Sequence, residues 1–438
     1  MNELLSSLIW IAIGATLVFF AQGGLRGGDR KVVWISFWAH MVSAVALILL
    51  TYHFFGRGDL EVYYYYGGQL AEYIRSDPGR WGPEVLKLIF QLEAEMPIEL
   101  FGQEGSSTTS LHGITAFCFL LTRNSEYASG ILMALISFSG KWAMFNAFQH
   151  HFPEEYRTRV LLACFLVPSA VFWSSGVVKE AIALGAMGWA IYGLHLVIVE
   201  GRPMRGLFWL LLGGLFVGIQ KSYVLFPLAA GAGVWFFWQR SMVRTGSVAI
   251  ASRPGSMILA LGAAILGILL MGELFPRYSI GALAEEAAQL QQTGQQIQGG
   301  SSYSMGDGTQ TTLQGQLVFA PLAIIAALFR PFFFEAHNPV AAINALETTL
   351  VLGLWFWIGR KVGFRKAWRL LRTSPVLIFC VVFVVLFGLG VGLSTTNLGT
   401  LSRYRIPMMP LYALVLLMLL PMPLITKKVR RYTGLESV

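Results

Sequence analysis

The stretch GRKVGFRKAWRLLR, Gly359–Arg372, sets six cations and no acid between two apolar runs, 340–359 and 374–394. Each run is long enough to cross a hydrocarbon core of about 30 Å, which takes about 20 helical residues. Short loops rich in Lys and Arg stay on the cytoplasmic side, so this one loop orients both helices. Outward from it, the chain of 438 residues is 55% hydrophobic and only 13% charged, where a soluble domain carries about 25% charge. Further apolar runs lie at 4–22, 33–55, 127–148, 159–175, 180–199, 206–220, 222–239, 256–274 and 406–424. Helices that are apolar all round belong in lipid. The expected fold is an all-α polytopic membrane protein with about eleven transmembrane helices, a single transmembrane domain over residues 1–438.

The remaining basic residues test that orientation. Arg26, Arg30 and Lys31 follow the first run, Arg157 and Arg159 the third, and Arg202 and Arg205 the fifth. Arg240, Arg244 and Arg253 follow the seventh, and KKVRR follows the last. Eleven spans with the N-terminus outside bring all of them to the cytoplasmic side. Two shorter apolar pieces, Leu111–Leu121 and Gln316–Phe329, break this alternation if counted. They are expected as re-entrant or interfacial helices on the outer face, buried in protein or lining a cavity. A large acidic outer loop, 56–126, is expected to hold amphipathic helices in GGQLAEYIR and PEVLKLIFQLEAEMPIELFG. The segment 276–315, rich in Gln, Gly and Ser, reads as a flexible outer loop.

Other signals are plainer. The first run lacks a basic n-region and a cleavage site, so it reads as a retained helix. Cys118, Cys164 and Cys380 are scattered, with no metal-ligand or disulfide spacing. The net charge of +9 suits topology and anionic lipid rather than nucleic acid.

Polar residues gather at the expected outer turns. PSAVFWSSGVVKEA supplies Ser174, Ser175, Lys179 and Glu180, and GIQKSY supplies Gln220, Lys221 and Tyr223. FRPFFFEAHNP supplies Arg330, Glu335 and His337, and STTNLGTLSRYRIPMMP supplies Asn397, Arg403, Tyr404 and Arg405. Cations on this face run against the positive-inside bias. Ionisable groups near the bilayer are costly and usually functional, and Arg and Lys there suit an anionic head group at the lipid boundary. The sugar-bearing polyprenyl phosphates and pyrophosphates have that shape. Asp59 and Glu61, in GDLEVYYYY, are candidate general bases for an acceptor hydroxyl. Tyr63 and Tyr64, with Tyr65 and Tyr66, offer rings to stack on sugars. Plainer roles compete: an interfacial aromatic belt for the tyrosines, a helix N-cap for Asp59 and a loop role for His337. Snorkelling competes for Lys179 and Lys141. His150 and His151 fall on the inner side, where they read as inert. A divalent cation on Asp59 and Glu61 is compatible, although no ligand spacing demands one.

At these motifs the chain resembles the GT-C superfamily of bacterial membrane glycosyltransferases and their polysaccharide-polymerase relatives. GDLEVYYYYGGQLAEYI is similar to a GD-x-x-x-Y element at the start of a first large outer loop. PSAVFWSSGVVKEAI is similar to a PS-x-x-FW-S-x-x-x-KE element, and LFRPFFFEAHNP…ALE and NLGTLSRYRIPMMP resemble RP-x-x-x-E and RYR-x-P elements. The resemblance implies a polyprenyl-linked sugar donor and a glycan or lipid acceptor. It implies a site facing the periplasm or exterior, in a multi-pass protein of the bacterial inner membrane. It makes Asp59 the catalytic carboxylate and gives the phosphate to Lys179, Lys221, Arg330, Arg403 and Arg405. Glu61 leaves open which carboxylate acts. An extra span precedes the usual first one, and no large C-terminal soluble domain follows. A polymerase or ligase of surface polysaccharide is the second reading, and a transporter or flippase of a lipid-linked anion the third. The third lacks the paired half-repeats that transporters show.

Overall fold

A computed structural model describes residues 3–54, 58–102, 105–245, 318–336, 339–395 and 397–421, with Gly255 and Gly262. His337, the loop 276–315, the basic tail and, apart from Gly262, the expected span 256–274 lie outside the described residues. Among the described residues the chain is helical, with no strand. Seven helical stretches there are long and apolar enough to cross a membrane: Glu3–Gly24, Gly27–His53, Glu126–Gln149, Lys179–Ile198, Pro203–Val243, Val340–Lys361 and Pro375–Ser394. The chain is an all-α polytopic membrane protein.

Polar contacts give the helices their directions. α1 (Glu3–Ala21), α2 (Gly27–His53) and α6 (Glu126–Gln149) meet at one end. There Ser125 donates to the Glu3 carboxylate, and the Tyr52 hydroxyl donates to Glu126 Oε2 at 2.8 Å. At the opposite end His151, just past α6, meets His195 near the end of α9 (Lys179–Ile198), Nε2 to Nδ1 3.2 Å. α10 (Pro203–Lys221) runs back from that end, since Lys221 reaches Glu180 at the start of α9. α11 (Leu225–Thr245) returns, bringing the Trp235 ring to 5.4 Å from His151. Pro203–Val243 is therefore a hairpin turning at Ser222–Val224, as two separate spans require.

α6 and α9 cross with almost no space between them. A Cβ on Gly140 would lie 2.0 Å from the Gly185 carbonyl oxygen, and one on Gly188 would lie 2.0 Å from that of Gly140. Small residues allow such backbone approach in membrane helices. Gly140 is mid-way along α6, whereas Gly185 and Gly188 fall in the first half of α9. At 1.5 Å per residue α9 thus begins about 10 Å deeper than α6. Its N-terminus is recessed below the rim.

Three expectations are corrected. The span 159–175 is broken into α7 (Arg157–Phe165) and α8 (Pro168–Trp173). Pro168 has no N–H to continue the ladder and drives the preceding residue out of the helical region. Lys141 does not snorkel. It is fully buried at the break, Nζ meeting His40 Nε2 at 2.6 Å, Ser174 Oγ at 2.8 Å and the Ala170 carbonyl at 3.1 Å. In the large loop, α3 (Asp59–Ser76) and α4 (Pro78–Ile89) form, but the expected helix over 83–102 stops at Ile89. Gln91 takes φ +60°, which ends a helix, and Pro97 lies beyond. Leu111–Leu121 belongs to α5 (Ser107–Thr122), which packs between α3, α4 and α6.

The later elements are α12 (Ala320–Phe329), α13 (Pro339–Lys361), α14 (Phe364–Thr373), α15 (Pro375–Ser394), α16 (Leu398–Tyr404) and α17 (Met409–Leu419). The basic loop Gly359–Arg372 thus closes α13 and builds α14, an amphipathic helix that buries Ala367 and Leu371. Cys118, Cys164 and Cys380 are buried thiols.

Candidate functional site

Helix ends converge at the recessed start of α9. Asp59 and Glu61 occupy the first turn of α3, Glu180 the first turn of α9, Lys221 the last turn of α10 and Arg403 the last turn of α16. Acids at helix starts and cations at helix ends each complement the macrodipole. Asn397 caps α16, its Oδ1 accepting from the amides of Gly399 at 2.8 Å and Thr400 at 3.3 Å. That cap aims Arg403 inward.

The charges form a chain. Glu180 Oε1 accepts from Lys221 Nζ and from Arg403 Nε, each at 2.9 Å, and Arg403 Nη1 donates to Asp59 Oδ2 at 2.9 Å. The side chains grade from buried to open: Glu180 is 1% exposed, Lys221 4%, Arg403 20% and Asp59 62%. Lys221 Nζ lies 4.4 Å from the Tyr404 ring centroid, and the Arg403 guanidinium 5.8 Å from that of Trp173. Burial opposes the charge on Arg403, but the carboxylates of Glu180 and Asp59 outweigh it and hold the guanidinium above its usual value. Burial, then the charge of Asp59, pushes the Tyr63 phenol above its usual range. Glu180 Oε2 has no hydrogen-bond partner among the described residues. Asp59, Trp173 and Arg403 face a cavity of about 360 Å³ that also touches Glu335, Asn344 and Asn397.

The other expected residues divide. Lys179 Nζ donates to Ser107 Oγ and Thr108 Oγ1, both at 2.9 Å, tying α9 to the start of α5. Gln220 Nε2 donates to Ser110 Oγ at 3.0 Å and docks α5 on α10. The Tyr223 ring stacks on Phe387. Arg330 forms an ion pair with Glu335 at the cavity edge. Arg405 is fully buried: its Nη1 donates to the Arg330 carbonyl at 2.6 Å, and its Nη2 stands 3.8 Å from Glu347. Arg405 is thus a strut behind the site. Ser174 and Ser175 are buried, with Ser174 in the Lys141 knot. Tyr63 and Tyr64, each 3% exposed, are core residues, and the open ring of the block is Tyr65. Glu61 faces away from Asp59, toward a second cavity beside Tyr65 and Tyr66. The two carboxylates line different cavities and are therefore not a pair. Among the described residues no cluster of three His, Cys, Asp or Glu comes together to hold a metal ion.

Some residues were not singled out from the sequence. Trp173 walls the cavity. Glu347 accepts from the Ser169 amide and hydroxyl, both at 2.7 Å, and so caps α8. The signal for Glu347 was present, as a lone acid inside an apolar run. His112 is fully buried, with the Tyr66 ring stacked at 5.0 Å and neither ring nitrogen hydrogen-bonded among the described residues. Burial, then the charge of Lys179, lowers its pKa to about 4. No protein-family model, curated protein or solved structure matches the chain. Fold and site define it as a membrane protein with a recessed cluster of opposite charges at one end of its bundle.

Proposed function

We propose that the chain is a GT-C-like membrane glycosyltransferase. It moves a sugar from a polyprenyl-phosphate-linked donor to an acceptor hydroxyl on the outer face of the bacterial inner membrane. In this reading the chain crosses eleven times, with the Asp59 end outside and the α14 end inside. The observation that carries the reading is Arg403, fixed from behind by buried Glu180 and met in front by exposed Asp59.

The chemistry follows from that arrangement. A donor phosphate is a stronger partner for the guanidinium fork than one carboxylate oxygen. It takes the Nη1 position that Asp59 holds and releases the Asp59 carboxylate beside it. Asp59 accepts the proton of the acceptor hydroxyl, whose oxygen attacks the anomeric carbon. The bond from that carbon to the phosphate oxygen breaks, the phosphate leaves with the electron pair, and configuration inverts. Arg403, backed by Lys221 through Glu180, stabilises the leaving charge. Losing such a preorganised donor costs about 10²–10³ in rate, and losing a positioned base about 10²–10⁴.

The test is sugar transfer by purified protein in lipid nanodiscs supplied with polyprenyl-phosphate sugars. Arg403→Ala and Asp59→Asn are expected to lose at least a hundredfold in kcat, and Glu61→Gln is not expected to lose kcat to that extent. Full turnover in Asp59→Asn removes the base assignment. A wild-type protein that neither transfers sugar nor binds polyprenyl phosphate sinks the reading. A polysaccharide polymerase or ligase is the second reading, favoured by the depth at which Arg403 is anchored. Dispensable Asp59 with essential Arg403 would select it.

A further inference from the structure

The basic helix α14 carries more than topology requires. Arg360 and Lys361 end α13, and Arg365, Lys366, Arg369 and Arg372 follow in α14, with no acid from Gly359 to Thr373. The ion pairs at this end of the bundle are Arg26–Glu154, Arg157–Glu154 and Arg202–Glu200, and among the described residues none of those α13 and α14 cations joins one. Loop cations that only hold topology need neither a helix nor an open aromatic edge beside them. α14 has both.

Successive residues of α14 step about 100° round its axis. Ala367 and Leu371 form the stripe buried against the protein. Phe364 and Trp368 stand next to that stripe and are 68% and 46% exposed. Arg372 and Arg365 come next round the helix, then Arg369 and Lys366. An open aromatic edge thus runs between the buried stripe and the cations. Its depth is set by α13. Phe356 and Trp357 are exposed about one turn before α13 ends, as rings at the membrane boundary are. Gly363 turns the chain with φ +78°. The Phe364 ring then lies back over Gly359, where an added Cβ would stand 3.2 Å from it. α14 therefore starts at the level where α13 leaves the bilayer.

We propose that α14 is a binding surface for anionic phospholipid in the leaflet where α13 ends. A helix with Trp and Phe on one face and Lys and Arg on the other lies in the interface plane and is drawn to anionic lipid. Phe364 and Trp368 enter the boundary between head groups and acyl chains, and Arg372 and Arg365 beside them meet the lipid phosphate. The Arg372 guanidinium lies 5.7 Å from the Trp368 ring centroid, and its Nε has no hydrogen-bond partner among the described residues. Its donors are thus not spent within the protein, and the planar fork suits phosphate. The aromatic edge continues the lipid-facing surface of α13, so the partner that covers both is a membrane rather than a soluble polyanion. This surface lies at the opposite end of the bundle from Asp59 and stands whether or not the chain transfers sugar.

The test uses the full chain in phosphatidylcholine nanodiscs doped with either brominated phosphatidylglycerol or brominated phosphatidylcholine, which quench tryptophan on contact. The protein has 13 tryptophans, so the Trp368 signal is the quenching lost in Trp368→Phe. Each cation near an anionic surface adds about fivefold in affinity. At equal doping, Trp368 is therefore expected to be quenched at least fivefold more effectively by the anionic lipid. Arg365→Gln with Arg372→Gln is expected to remove most of that preference. Equal quenching by the two lipids overturns the proposal, as does a Trp368 signal that neither lipid quenches. A preference unchanged in the arginine variant overturns it too. The comparison of the two lipids needs no arginine substitution, so it decides even where that variant fails to fold. A labelled RNA oligonucleotide held by the wild type in undoped discs and released by the arginine variant would assign the surface to nucleic acid instead.

Discussion

Two carboxylates share Arg403, and their surroundings give them different work. Glu180 is buried under two cations, so Glu180→Gln strands both charges. Breaking a buried pair this way costs about 3–5 kcal/mol, and the expected outcome is a large drop in the denaturation midpoint. Asp59 is mostly exposed, so Asp59→Asn is expected to cost under about 1 kcal/mol while sugar transfer collapses. Equal stability losses in the two variants would contradict the division. His112 makes a pH prediction. Its folded-state pKa, about 4, lies below the usual 6.5, so the unfolded chain takes up the proton first as pH falls. The resulting stability is complete above about pH 6.5 and is lost as pH falls toward 4. His112→Phe is expected to flatten that part of the midpoint-against-pH curve. At this scale the residue types were legible but not their company. Asp59 and Glu61 read as a pair because they are two positions apart. Helix geometry turns them to opposite faces of α3.

At the scale of elements, the break between α7 and α8 governs where the site sits. Pro168 interrupts the helix, and Glu347 then satisfies the first turn of α8 from a distant span. Glu347→Ala removes that cap and strips Arg405 of its ion pair. It is expected to cost about 3–5 kcal/mol and to lower transfer by displacing α8 and its Trp173. Rescue of stability by Glu347→Gln, which keeps acceptor capacity for Ser169, is expected to be partial. Gly140→Ala forces a methyl into the Gly185 backbone. Overpacking of this kind costs about 1–3 kcal/mol, readable in a thermal melt, whereas Gly214→Ala, with open space at its Cβ, is expected to cost less. Long apolar helices were readable because their signal is local. The helix expected in GGQLAEYIR was readable for the same reason, but it starts earlier, at Asp59, and the basic loop Gly359–Arg372 folds its second part into the helix α14, which its charge alone did not reveal. The end of α4 at Ile89 was not readable, since a turn at Gln91 with positive φ leaves no strong mark in composition. The 159–175 break was marked by Pro168, but a run of apolar neighbours obscured it.

For the whole molecule, topology makes the remaining prediction. Single cysteines placed at exposed Glu72 and exposed Lys366, in a chain whose native cysteines are buried, are expected to label from opposite sides. A membrane-impermeant maleimide added outside intact spheroplasts should reach Glu72→Cys and not Lys366→Cys. Labelling of both from one side would undo the orientation. The sequence by itself determined that this is a helical membrane protein and where most of its long apolar helices lie. Lipid rewards about twenty apolar residues in a row, and cations stay on the side where they began, so both are properties of short segments. Only the tertiary structure decided which polar residues meet. Glu180, Lys221, Arg403 and Asp59 come from four separate helix ends. The close Gly140–Gly185 crossing and the Pro168 break set their depth and direction, and a chain of charges closes only when those distant packings are in place.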